Sequence, residues 1–173
     1  MATGDFLDSA EKWAPFDFYI GAWYGTATGQ VGNGTVERSY ALTLDDQFIE
    51  IRNRSVYPAQ EANPSGEVHE DRGFISYDKA RALYVLREFH NEGYVNQYVL
   101  ESTPDDRRRL VFETESIENI APGWRARTTL EVTSEDSFRE TFELAGPDRE
   151  WACFITNDFT RSGNASRVNP GAG

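Results

Sequence analysis

Phe18-Tyr-Ile-Gly-Ala-Trp-Tyr-Gly25 is the stretch on which the fold turns. A short aromatic lead-in reaches Gly21, and Trp23 begins the first run with strand character. The runs that follow alternate β-branched and aromatic residues with polar ones, and turn residues close each run. The expected strands are 22–28, 35–43, 47–57, 68–77, 82–90, 94–102, 108–116, 124–133, 137–144 and 150–160. Asn33-Gly34 is the strongest hairpin signal, and Asp45-Asp46, Asn91-Glu-Gly93, Pro104-Asp-Asp106 and Gly146-Pro-Asp148 mark later turns.

No run between the strands is long and periodic enough for repeated βαβ crossovers. The fold class is therefore all-β, a meander of about ten antiparallel strands. An open sheet would leave two unpaired edges, and closure removes both. A closed barrel is favoured on that ground, with a β-sandwich as the main competitor. Residues 1–15 read as an arm with a short helical or irregular segment, capped by Asp8 or Ser9 and ended by Pro15. Such a segment can plug one barrel end. Residues 16–161 form a single barrel domain, and 162–173 a flexible polar tail. The loop at 58–67, with Pro64-Ser-Gly66, is a candidate rim or lid.

A chain of 173 residues suits one domain with a sizeable core. Seventeen basic residues against 29 acidic ones give a net charge of −12, which argues against a nucleic-acid partner. No basic stretch leads into an apolar run at the N-terminus, and no apolar run approaches the roughly 20 residues of a membrane helix. No membrane insertion and a cytoplasmic location are expected. The single cysteine, Cys153, excludes an intrachain disulfide and fits a reducing compartment. A homodimer is compatible with all of this.

Alternation assigns each strand two faces. Trp151, Cys153, Ile155, Asn157 and Phe159 share one, which would bury Cys153. Arg38 shares a face with Val36 and Tyr40, while Arg52 and Arg54 share one with Phe48 and Val56. An inward arginine would need an acidic ligand or a carboxylate such as Glu50, because a buried charge must be paired. Outward arginines laddered with glutamates are the preferred reading. Mixed faces suit a lined cavity, and the candidate lining set is Tyr40, Arg52, Tyr98, Thr128, Asn157 and Phe159. A slip of one residue would invert any of these assignments.

His69 and Asp71, two apart on one strand face, can serve as an acid–base pair or as a structural hydrogen bond, and the structural role is favoured. They are the weak catalytic candidates. His90 precedes the turn Asn91-Glu-Gly93, so hydrogen bonding in that turn is its expected role. Two histidines and one cysteine, far apart in the chain, suggest no metal site. A phosphate-binding glycine loop and a nucleophile elbow are both absent from the sequence.

Three pieces of the chain are similar to the nitrobindin-like family, within the wider calycin group of lipocalins and fatty-acid-binding proteins. They are Phe18-Tyr-Ile-Gly21-Ala-Trp23-Tyr-Gly25-Thr-Ala-Thr-Gly29, His69-Glu-Asp71-Arg-Gly73-Phe74 and Phe159-Thr-Arg161. The resemblance spans most of residues 16–161. It implies a calycin-like barrel of roughly ten strands with an internal pocket. It also implies that Gly21 and Trp23 mark the closed end, with Arg161 lying over the indole. Some members hold ferric haem through a histidine near the C-terminus, but residues 150–161 contain none. Haem is thereby disfavoured as a cofactor, with Cys153 or a pocket tyrosine as the remaining ligands.

The function expected is non-catalytic binding or carriage of a small, largely apolar or amphipathic molecule with an acidic or polar end. The alternatives are a small isomerase or hydrolase using His69/Asp71 or an interior Arg–Glu pair, and a haem barrel with a different axial ligand. A barrel filled by its own aromatics is the remaining reading, and a cavity below about 300 Å³ would mark it.

Overall fold

The computed structural model describes residues 9–101 and 107–163. A helix α1 (Ser9–Trp13) and a 3₁₀ turn (Ala14–Phe16) precede ten strands. These are β1 (Gly21–Gly29), β2 (Gly32–Thr43), β3 (Phe48–Tyr57), β4 (Glu67–Asp78), β5 (Leu83–His90), β6 (Val95–Leu100), β7 (Arg109–Glu118), β8 (Arg125–Ser134), β9 (Ser137–Ala145) and β10 (Ala152–Arg161). Each strand pairs antiparallel with its chain neighbours, and β10 returns to β1, closing the barrel. No free edge remains, which is the outcome the meander's turn spacing favours. Among the described residues no helix is long and apolar enough to cross a membrane.

The period-2 pattern carries through the walls. On β3, Ile49, Ile51, Asn53, Ser55 and Tyr57 are buried, while Arg52 and Arg54 are exposed. Two expectations fail for local reasons. The first hairpin turns at Gln30-Val31, and Asn33 and Gly34 lie within β2 opposite Thr28 and Ala27. The left-handed residue that lets the chain re-enter the sheet is Gly32, at φ +97°. Cys153 is exposed instead of buried, because a bulge between Cys153 and Ile155 shifts the register of β10 against β9. The extra residue inverts the alternation on its N-terminal side.

The barrel has a filled end and an open end. At the filled end the arm folds in, burying Trp13, Phe16 and Tyr19. The indole N–H of Trp13 donates to the Asp46 carbonyl at 2.7 Å, and the Tyr84 hydroxyl donates to the Lys12 carbonyl. Trp23 is buried, donates to the Tyr19 carbonyl at 2.7 Å, and stacks edge-on against Phe138 at 4.8 Å. The Arg161 guanidinium lies 4.1 Å over the Trp23 ring and donates to the carbonyls of Ile20 and Phe18 at 3.1 and 2.7 Å. Cation–π contact and carbonyl pairing together seal the strand ends. Gly21, at φ +131°, turns the chain into β1 directly beneath this guanidinium, where a Cβ would sit 3.1 Å from Nη1.

At the open end the 58–66 loop is tied to the β1–β2 hairpin. Asn33 N–H donates to the Gln60 side-chain oxygen, and the Gln60 amide donates back to the Asn33 carbonyl, both at 2.8 Å. The loop is thus a fastened part of the rim. The cap side chains of Asp8 and Ser9, the Pro104-Asp-Asp106 turn and all but the first two residues of the 162–173 tail fall outside the described residues.

Candidate functional site

Between rim and filled end lies a cavity of about 670 Å³. That volume sets aside a barrel packed solid by its own aromatics and falls in the range of small-ligand sites, roughly 300–1,000 Å³. Part of its outer wall is apolar, lined by Val31, Ile120, Trp124, Phe142, Leu144 and Phe154, while Glu67, His90 and Glu92 line it near the mouth. Its floor is polar, and the strand register explains why. Cross-strand pairing sets Arg38 beside Asn53, Asn53 beside Asp71, Glu88 beside Asn96, and Asn157 beside Glu140.

Arg38 and Glu140 anchor the floor. The guanidinium donates to both carboxylate oxygens at 2.7 and 2.8 Å, and to Asn53 Oδ1 at 2.9 Å. Asn157 and Thr128 donate to the same carboxylate at 2.7 and 3.1 Å. Burial disfavours the charge on Arg38, but Glu140 outweighs it and holds the guanidinium well above its ordinary pKa. Burying two ions costs several kcal/mol each, and a bidentate pair with its remaining positions filled is the geometry that offsets it. The guanidinium also lies 4.7 Å over the Phe159 ring and 3.3 Å from the Tyr40 hydroxyl. An Arg–Glu pair inside the barrel therefore exists, formed by these two residues.

Asp71 extends the network, accepting from Asn53 Nδ2 at 2.8 Å and facing His69 Nε2 at 3.2 Å. Burial opposes its ionisation, yet the hydrogen bond from His69 and the charge of Arg38 hold its carboxyl below the usual range. His69 Nδ1 lies 2.7 Å from Glu92 Oε1. Burial works against a charge on His69, but Asp71 and Glu92 prevail and carry its pKa up to about 9. Glu88 differs, having no hydrogen bond or ion pair among the described residues. Burial first, and the neighbouring Asp71 second, push its carboxyl up to about 8, so it is largely protonated at neutral pH. Three further buried atoms of cavity-lining residues have no partner among the described residues: Asn96 Oδ1, Asn157 Oδ1 and His90 Nε2.

The residues expected from sequence are distributed unevenly. Tyr98, Thr128 and Asn157 line the cavity, as do His69 and Asp71. Tyr40 and Phe159 are buried beneath Arg38, one layer below the cavity surface. Arg52 is not a lining residue. It stands on the outer face, 2.9 Å from Glu50, because β3 turns Asn53 inward in its place. Gly21, Trp23 and Arg161 sit at the filled end, away from the cavity.

His90 takes its expected place in the turn and adds a second role. Its backbone makes the turn, with Gly93 N–H donating to the His90 carbonyl, while its ring faces the cavity 5.5 Å from that of His69. Distance along the chain misleads here, since β4 and β5 are paired with Asp71 opposite His90. Glu140 and Glu88 were not singled out, although each has a readable signal. Phe138-x-Glu140-x-Phe142 and Leu86-x-Glu88-x-His90 place a carboxylate between apolar or aromatic residues on one strand face.

The C-terminal haem ligand that the resemblance would require has no counterpart here. β10 carries no histidine, and Cys153 faces outward. Among the described lining residues the cations are Arg38, held by Glu140, and His69, held by Asp71 and Glu92, so neither is available to haem propionates.

No family model and no curated protein matches the chain. Solved structures do. The crystal structure of Rv2717c from M. tuberculosis aligns over 92% of this chain and 100% of its own, at 13% identity and a TM-score of 0.58. A redesigned β-barrel aligns over 84% of this chain and 93% of its own at 9% identity, with a TM-score of 0.41. A de novo fluorescence-activating β-barrel aligns over 90% of this chain and 100% of its own at 19% identity, also with a TM-score of 0.41. The likeness to Rv2717c is one of fold.

Proposed function

We propose that this chain is a nitrobindin-like calycin barrel that binds or carries a small, largely apolar molecule, polar end inward. The observation that carries the reading is the cavity itself, apolar along part of its wall and polar at the floor, with unpartnered acceptors on Asn96 and Asn157. A buried polar atom left unpaired costs about 1–3 kcal/mol, so a ligand group that donates to these atoms is favoured over one that leaves them unpaired. They are acceptors, and the nearby carboxylates of Asp71 and Glu140 disfavour another acid. The polar end is therefore a hydrogen-bond donor, a hydroxyl or an amine, in place of the acidic end that the sequence left open.

The test is displacement of an apolar fluorescent probe, N-phenyl-1-naphthylamine, by alcohols, amines and carboxylic acids of matched chain length. One saturable site is expected, with alcohols and amines displacing the probe at lower concentration than acids. Thr128→Trp, which fills the cavity from β8, abolishes binding. Absence of a saturable site in the wild-type protein overturns the reading.

One observation favours a second reading. His69 and Asp71 face the cavity within 3.2 Å, with Glu88 on the neighbouring strand, so acid–base groups do converge on a ligand-sized space. That arrangement suits a small isomerase or hydrolase. Turnover of a bound compound that His69→Gln eliminates while binding persists would select it over carriage.

A further inference from the structure

We propose that His69, His90 and Glu92 form a binding site for one divalent transition-metal ion at the mouth of the barrel. One ligand atom from each of the three lies within 4.8 Å of the others. The strand register brings them together. Asp71 and His90 are cross-strand partners, so His69 and Glu92 come next along the same two chains towards the rim. Metal–ligand bonds of about 2.0–2.2 Å set ligand atoms roughly 3.4 Å apart in a tetrahedral site. His69 Nδ1 and Glu92 are already 2.7 Å apart, so the set closes by an approach of about an ångström between His90 and that pair.

Two further observations point to a metal and not to an ion pair alone. The contact between His69 Nδ1 and Glu92 would account for those two residues, but it leaves His90 unexplained. Its Nε2 is buried and has no partner among the described residues, which a coordinated cation would provide. The second observation is Asp71, which engages Nε2 of His69 and leaves Nδ1 facing Glu92, where a metal ion would replace the bridging proton and release it to solvent. A carboxylate on the far nitrogen of a ligating imidazole orients the ring and sets its tautomer. Asp71 is itself held by Asn53, and Asn53 by Arg38, so the ring is braced from the barrel floor.

Two imidazoles and a carboxylate suit zinc, cobalt, nickel or ferrous iron, and suit magnesium, calcium and cuprous copper poorly. Cys153 is on the outer surface, so no thiolate contributes. Three protein ligands leave a coordination position open, and all three residues line the cavity. That position faces the space where a ligand would sit. The metal site stands on its own geometry and does not depend on the identity of a cavity ligand.

The experiment is titration of tag-free protein with cobalt(II) and with zinc(II). Cobalt is followed by its visible d–d absorption, and zinc by long-range ¹H–¹⁵N spectra of the imidazoles. His69 and His90 are the only histidines in the chain, so each ring is assigned without ambiguity. One equivalent should bind, shifting His69 Nδ1 and His90 Nε2. His90→Gln and Glu92→Gln should each weaken binding by at least tenfold. Asp71→Asn, which removes a positioning residue, should weaken it about 10–100-fold while the d–d spectrum persists. Glu67→Gln, at the same rim but outside the set, should leave affinity unchanged. Lack of stoichiometric binding, unshifted ring nitrogens in the wild-type protein, or affinity indifferent to His90→Gln would each overturn the proposal.

Discussion

Arg38 is the residue on which the interior most depends, because its charge is buried and Glu140 is the carboxylate that neutralises it. Removing one member of a buried ion pair strands the other, at about 3–5 kcal/mol, whereas replacing both with apolar side chains is often close to neutral. Glu140→Ala should therefore lower the urea unfolding free energy by that amount. The double variant Arg38→Met/Glu140→Leu should recover most of the loss. Equal losses in single and double variants would mean that the pair is not the source of the cost. Arg52, the residue next to Asn53 on β3, has the same chemistry and none of this role, since its partner Glu50 shares the solvent face. Residue type alone did not separate the two arginines. Nor did their neighbours, since both share a strand face with apolar residues, Arg38 with Val36 and Tyr40 and Arg52 with Phe48 and Val56.

The strands themselves were largely legible, because alternation and turn chemistry act over a few residues. The departures occur where an element breaks its own period. In β10 the bulge places Cys153 outside while Asn157 and Phe159 stay inside. A thiol reagent such as a maleimide should consequently label Cys153 in the native protein at close to the rate in urea. Protection that disappears only on unfolding would place the residue back on the inner face. In β2 the Asn33-Gly34 signal fell on paired strand residues, since Gly32 already supplies the left-handed position of the hairpin. A bulge or a displaced turn changes which side chains meet, and nothing in a local pattern of alternation announces it.

For the molecule as a whole, buried phenols run from the filled end to the cavity wall. Burial raises the pKa of Tyr40 to about 12 and raises those of Tyr57 and Tyr84 as well, from an ordinary value of 10.0. A phenol whose folded pKa lies above its unfolded value contributes stability that is intact below pH 10 and is lost as pH rises towards 12. Each pH unit in that window removes up to about 1.4 kcal/mol per fully shielded phenol. Circular dichroism and absorbance at 295 nm should change together above pH 10, and Tyr40→Phe should move the midpoint upward. Phenolate absorbance appearing well before loss of structure would show that the tyrosines are solvated. The sequence by itself determined a meander of about ten antiparallel strands and favoured its closure over a sandwich, and the family resemblance set Arg161 over Trp23 at the closed end, as the structure has them. The strands follow from alternation and turn residues, which act over a few positions at a time. Only the tertiary structure decided that Arg38 meets Glu140 from 102 positions away, and that His69, His90 and Glu92 gather at the mouth. Closure and register set those meetings, and both are properties of the assembled sheet, which no single strand encodes.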